Sequence, residues 1–326
     1  MHQPFSGVHC ESTTFVNMLR SRDIELSEPM VFGLGQGLSF LYWHSRQMPG
    51  PFLGGRVKPD QLIRNASAAL GQDLVEHETA SRAKAATVLH EALDAGEVVG
   101  LKLDRYHLDY ADDSFHFAAH YLACVGYDET DYTVVETDGL GVRTTSRASL
   151  AEARLAPGPM SSKNRSVRFG AVVPLDPARL PVACREAVAA TAAEFLEPPI
   201  ANMGYKGIEK TSTLIRDWCD TLDDPGATFS FLSHSIEDGG TGGGFFRQLW
   251  SQFLDEAAEL TGDDDLAKAA ASYRDLGERW SELARILLVA DDDGAQRRAV
   301  QEAGDLRVGI GADERDTMAR LAEATS

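Results

Sequence analysis

The sequence predicts an α+β protein, with a mixed amino-terminal domain over residues 1–176 and an all-helical carboxy-terminal domain over 177–326. Three observations carry this. The first part alternates stretches of helical periodicity with short runs rich in Val, Tyr and Leu. The segment PLDPARLP at 174–181 then places three prolines within eight residues, which marks a boundary. Beyond it nearly every stretch reads as helix, and 326 residues exceed one ordinary compact core.

The first element is a helix over 12–22, where Phe15, Met18, Leu19 and Arg22 recur at helical spacing, with Ser12 and Thr13 as caps. Cys10, between His9 and Glu11, therefore stands at a helix entry, where backbone N–H groups and the helix dipole favour a thiolate. A second helix is predicted from Ser27-Glu28-Pro29, with Leu34, Leu38 and Leu41 at i, i+4, i+7. The glycines of GLGQG at 33–37 have no strand before them and the wrong spacing for a dinucleotide fingerprint, so close packing or approach to a ligand near Gln36 is expected instead. Helices over 60–70 and 81–95 follow, then a β-rich run at 97–103.

HYLACVGYDETDYTVVETDG, 120–139, holds two β-rich runs around a turn and reads as an antiparallel hairpin. With Tyr127–Asp131 as a five-residue loop, Gly126 pairs with Tyr132 and His120 falls opposite Asp138, on one face. A four-residue loop would shift the register by one and separate the two. A last apolar run at 167–173 precedes the prolines, and helices are expected near 181–196, 206–221, 244–260 and 264–290, with the turn-rich EDGGTGGG at 237–244.

The formal charge of −19, from 31 basic and 50 acidic residues, repels polyanions and argues against nucleic acid as partner. No apolar run is long enough for a membrane span and no signal peptide is evident, so a soluble, cytoplasmic protein is expected. Cys10, Cys124, Cys184 and Cys219 lie far apart, with no metal-ligand spacing among them and the nine histidines, so neither a disulfide framework nor a metal is expected.

A cysteine nucleophile needs a base and a group to orient that base. Cys10, His120 and Asp138 meet this requirement, with His116 as reserve base and Glu136, two residues from Asp138, as reserve orienting acid. His9 adjoins the cysteine too closely to serve as its base and is expected to wall the site or to act as a local hydrogen-bonding group.

Residues 7–43, from GVHCESTTF through FGLGQGLSFLYW, together with HYLACVGYD and VVETD, resemble the amino-terminal domain of the butirosin-biosynthesis acyltransferase (BtrH) family. SIEDGGTGGGFFRQLWSQFLDEAAEL resembles the helical domain of unknown function that often follows it. The resemblance implies a papain-like cysteine fold and transfer of an aminoacyl group from an acyl-carrier-protein thioester to an amine. It assigns Cys10 as nucleophile, His120 as base and Asp138 as orienting acid. The oxyanion donors expected are the backbone N–H groups of Cys10 and Glu11, with Gln3 as the one nearby glutamine.

On this reading no cofactor is bound, and the phosphopantetheine arm of an acyl carrier protein brings the donor to a small-molecule amine. Gly243 and Arg247 are candidates for its phosphate and Glu237 for the amine, with the helical domain as lid and acceptor wall. Lys163, Arg165 and Arg168 form the densest basic group and are the expected carrier-docking surface. A homodimer is compatible with the sequence. A cysteine peptidase or amidase, a lactam-forming cyclase and a non-enzymatic carrier-binding module are the alternatives.

Overall fold

The computed structural model describes residues 3–112, 115–171, 173–288 and 292–325. In chain order its elements are α1 (Cys10–Arg20), α2 (Glu28–Leu34), β1 (Leu38–Trp43), β2 (Phe52–Arg56), α3 (Gln61–Ala69), β3 (Leu74–His77), α4 (Arg82–Asp94) and β4 (Val99–Leu103). After a 3-10 turn at Arg105–His107 come β5 (His120–Tyr127), β6 (Asp131–Glu136), β7 (Gly141–Ser146), α5 (Arg147–Ala153) and β8 (Ser166–Phe169). The remainder is helical: α6 (Arg179–Leu196), α7 (Gly204–Leu214), α8 (Trp218–Thr221), α9 (Pro225–Glu237), α10 (Arg247–Thr261), α11 (Asp264–Leu288) and α12 (Asp293–Ala324). The protein is thus α+β. Val172, within the apolar run expected over 167–173, and residues 289–290, at the end of the helix expected over 264–290, lie outside the described residues.

The chain forms two compact units, one from residues up to Val31 with Pro59–Pro177, the other from Phe32–Lys58 with Ala178 onward. In the first unit six strands make one antiparallel sheet in the order β3-β8-β4-β5-β6-β7. Alternation along β4 explains its two-sided burial. Val99, Leu101 and Leu103 join Leu122, Cys124 and Val134 in a core with Leu89 and Ala92 of α4 and Leu150 and Ala153 of α5. Gly100 faces α1, so closely that a Cβ there would stand 2.9 Å from Thr14 Cγ2 and 2.7 Å from Val167 Cγ2. The sheet is therefore filled on both faces, and α1 lies against its middle.

The β5–β6 hairpin differs from the expected one at its turn. Tyr127 pairs with Tyr132, leaving a four-residue loop, and Asp128 Oδ1 closes that loop by accepting from the Thr130 and Asp131 N–H groups. A bulge between Cys124 and Gly126 then adds one residue to β5, so that Cys124 meets Val134 and Ala123 meets Val135. The bulge restores the parity that the shorter loop removed.

The second unit is not all-helical, and the first is not continuous in sequence. The helix expected to run from Ser27 through Leu41 stops at Leu34, because Gln36 takes a φ of +52° and Gly37 N–H turns back to the Phe32 carbonyl. Leu38–Trp43 is instead a strand paired with β2. Residues 32–58 belong with the helices because their aromatics do: Phe32 stacks on Phe246, and Phe40 lies 6.0 Å from the Trp280 ring. Gly33 sits against the Phe253 ring, where a Cβ would fall 2.0 Å from Cγ, so this glycine serves packing. Among the described residues no helix is long and apolar enough to cross a membrane.

Candidate active site

Cys10 is the first residue of α1 and is partly exposed. The chain before it is fixed by a buried carboxylate. Glu28 Oε2 accepts from Val8 N–H at 2.9 Å, and Oε1 accepts from His9 N–H at 2.9 Å, Ser12 Oγ at 2.8 Å and Thr13 Oγ1 at 3.2 Å. Gly7 permits this approach, since a Cβ there would lie 2.3 Å from Glu28 Oε2. His9 caps the helix, its Nδ1 accepting from Ser12 N–H. Glu11 is fully buried and receives Ile63 N–H at the start of α3. Glu28 therefore sets the path of the backbone on which the cysteine is displayed, and nothing in its local sequence signalled that role.

His120 opens β5 and is buried. Its Nε2 lies 2.8 Å from Glu136 Oε1, and its ring is hydrogen-bonded to Cys10. With Nε2 engaged by Glu136, Nδ1 is the nitrogen toward the sulfur. Glu136 is itself wholly buried: Tyr110 Oη donates to Oε1 at 3.1 Å and Thr137 N–H to Oε2 at 3.1 Å.

The structure thus pairs His120 with Glu136 and not with the expected Asp138. Extrapolating the register past the bulge does bring residue 138 level with residue 120, but β6 ends at Glu136 and Asp138 turns away with a φ of +54°, its N–H donating to the Gly7 carbonyl. Glu136, diagonal to His120 on the same face, has the reach. Asp138 remains close enough to feel the charges of both, and burial raises its carboxyl pKa.

The electrostatics describe an ion pair. Burial alone would lower His120, yet the Glu136 charge and the ring's hydrogen bonds to Cys10 and Glu136 lift it to about 10. Burial likewise pushes Glu136 up, but the facing His120, the Thr137 N–H and Arg105 bring it below its ordinary value. Burial raises the Cys124 and Cys184 thiols to about 12 each, so both are inert packing residues.

Other expected site residues lie elsewhere or are already engaged. Gln3 is exposed and its carbonyl accepts from the side chain of Arg20, the last residue of α1, so this bond is to the other end of the helix from Cys10. His116 pairs with Asp104, not with the cysteine. Gln36, Glu237, Gly243 and Arg247 belong to the second unit. Gln36 is half-buried in the turn after α2, its N–H donating to the Gly33 carbonyl.

The glycine-rich loop is not an open phosphate cradle, because its own side chains take its N–H groups: Thr241 Oγ1 accepts from Gly243 and Glu237 Oε2 from Gly244. Glu237 also receives Ser281 Oγ at 2.6 Å. Arg247 is fully buried, bonded through Nε to Glu314 at 2.8 Å and through Nη1 to the Phe245 carbonyl. It is a core residue, not a ligand for phosphate.

Two of the three expected docking cations are compensated. Arg165 is buried and paired with Glu76, Glu78 and Asp60, and Arg168 pairs with Glu97 at 3.2 Å. Lys163 is exposed, and its backbone N–H donates to Glu78, a bond that leaves the ammonium group at the surface. Pairing of β8 with β3 on one side and β4 on the other brings Arg165 and Arg168 to these carboxylates, so two of the three expected docking cations are already engaged.

Residues 9–137 match the family model described as butirosin biosynthesis protein H, N-terminal, and residues 148–321 match a domain of unknown function (DUF4872). The first match takes in Cys10, His120 and Glu136 and ends one residue before Asp138. No curated protein matches the chain. With more than half its length in the second match and the first covering the Cys10 site, the chain belongs to the family that joins a butirosin biosynthesis protein H amino-terminal domain to this domain of unknown function.

Proposed function

We propose that the protein is a cysteine-dependent acyltransferase of papain-like fold that moves an acyl group from a carrier-protein thioester through acyl-Cys10 to an amine. The observation that carries this reading is His120 hydrogen-bonded at once to Cys10 and to the buried Glu136. An imidazolium held beside the sulfur and a helix N-terminus beneath it both favour thiolate. The family description adds a biosynthetic setting, and the thioester donor is this reading's own addition to it.

The Cys10 thiolate attacks the thioester carbonyl, and the backbone N–H groups at the start of α1, Cys10 and Glu11, serve as donors to the developing oxyanion. The tetrahedral species collapses, the donor sulfur leaves with the proton from His120, and acyl-Cys10 remains. An amine then attacks this second thioester, His120 takes the proton from the amine, and the thiolate departs to give an amide. Glu136 stays ionised and keeps the imidazole in position throughout, as a positioning residue. Thioester exchange is nearly isoenergetic, so the protein's contribution is orientation and charge placement.

The test is product formation from a small acyl thioester and a panel of primary amines, read by mass of the amide. Amide formation that disappears in Cys10→Ala and is not matched by free acid supports the reading. Free acid as the sole product, at equal rates with and without amine, overturns it in favour of a hydrolase.

A further inference from the structure

The connection from β4 to β5 gathers three side chains that the Cys10 site does not use. Asp104, His107 and His116 bring one ligand atom each to within 4.8 Å of one another. Asp104 is the N-cap of the 3-10 turn Arg105–His107, and in such a turn residues i and i+3 lie on one side, which places His107 over the aspartate. His116 arrives from the other direction, as the chain returns to β5, and its Nδ1 lies 2.8 Å from Asp104 Oδ2.

The aspartate is built in, not a surface acid. It is fully buried, and its other oxygen is held by two backbone donors, Tyr106 N–H at 3.2 Å and Phe117 N–H at 3.1 Å. These two bonds aim Oδ2 toward the histidines, the arrangement by which a supporting shell fixes a ligating carboxylate. The Tyr106 ring lies 4.1 Å from the His116 ring and limits where that imidazole can go.

We propose that Asp104, His107 and His116 bind a zinc ion, with water as the fourth ligand. Two imidazole nitrogens and a carboxylate oxygen are a borderline donor set that suits zinc, and three protein ligands leave one coordination position open. The ion takes the place of the direct His116–Asp104 contact, so the loop needs only to draw the three donors around it. Its effect is a clamp: the segment leaving β4 is tied to the segment entering β5 four residues before His120. The sequence did not signal the site, because an Asp-x2-His pair with a third ligand nine residues on matches no common spacing and the 3-10 turn creates the cluster.

The probe is zinc itself, added to full-length protein stripped with chelator and dialysed, in a Cys10→Ser background so that the thiol is not a competing ligand. Calorimetric titration should give one equivalent with micromolar or tighter affinity, weakened about tenfold or more by His107→Ala and by His116→Ala. Both side chains are at least partly exposed, so these variants should fold, which far-ultraviolet circular dichroism checks. No binding by the parent, or unchanged affinity in either variant, overturns the site.

Discussion

His120 Nε2 lies 2.8 Å from Glu136 Oε1, although strand register past the bulge points His120 at residue 138. The partner is decided by where the strand ends: β6 stops at Glu136, and the chain then turns through Thr137 so that Asp138 leaves the sheet. Two carboxylates of similar sequence standing thus have different expected weights.

Glu136→Gln should lower the rate of acyl-Cys10 formation by about 10²-fold, the ordinary scale of assistance through a positioned base, and Asp138→Asn by less than about threefold. The pH–rate profile separates positioning from simple structural damage. Loss of the carboxylate removes the charge that lifts His120, so the alkaline limb should move to lower pH in Glu136→Gln and stay in place in Asp138→Asn. The reverse ranking would return the orienting role to Asp138.

Stability should carry the same signature. His120 is raised from 6.5 to about 10, so its bound proton stabilises the fold fully below about pH 6.5 and this contribution is lost as pH rises through about 10. Glu136 is lowered from 4.5, so its contribution is present above that value and lost as pH falls through its depressed pKa. The Tm deficit of Glu136→Gln should therefore be largest between about pH 4.5 and 6.5 and shrink toward pH 10. A deficit that grows with pH in thermal melts would contradict the ion pair.

Limited iodoacetamide treatment at neutral pH followed by peptide mapping should label Cys10 ahead of Cys124, Cys184 and Cys219. Cys10 is partly exposed beside an imidazolium, while Cys124 and Cys184 are buried with thiols raised to about 12. His120→Ala should slow Cys10 labelling selectively. Equal labelling of Cys10 and Cys219, both partly exposed, would mean that exposure alone governs reactivity.

Arg247→Ala should act on folding. Removing one partner of the fully buried Arg247–Glu314 pair leaves an uncompensated carboxylate and costs about 3–5 kcal/mol in urea unfolding. Unchanged stability with altered amine kinetics would restore a ligand-binding role for this residue.

The sequence made some of this arrangement visible and hid the rest for physical reasons. The helix entry at Cys10 and the strand opening at His120 are local patterns, caps in one case and β-rich alternation in the other. The bulge at Cys124–Gly126 is not local: it depends on how two strands meet, and it cancelled the effect of a turn one residue shorter than the expected five. The Glu28 brace joins residues about twenty apart through backbone donors that no pattern announces. Pairing of β8 with β3 and β4 brought carboxylates to Arg165 and Arg168, two of the three cations that look like a basic patch in one dimension. Leu34, Leu38 and Leu41 fit a helix by spacing, yet a turn at Gln36 and the demand of Phe40 for the aromatic core made a strand of the second half.

The central claim, that Cys10 carries the acyl group with His120 as its base, is tested most directly by intact-protein mass over time with an acyl thioester and no amine. The account predicts one added acyl group on Cys10, persistent until an amine is supplied and then discharged as amide. It further predicts that the adduct is absent in Cys10→Ala and forms about 10²-fold more slowly in His120→Ala. An adduct on another cysteine, or none across several thioester donors, would contradict it.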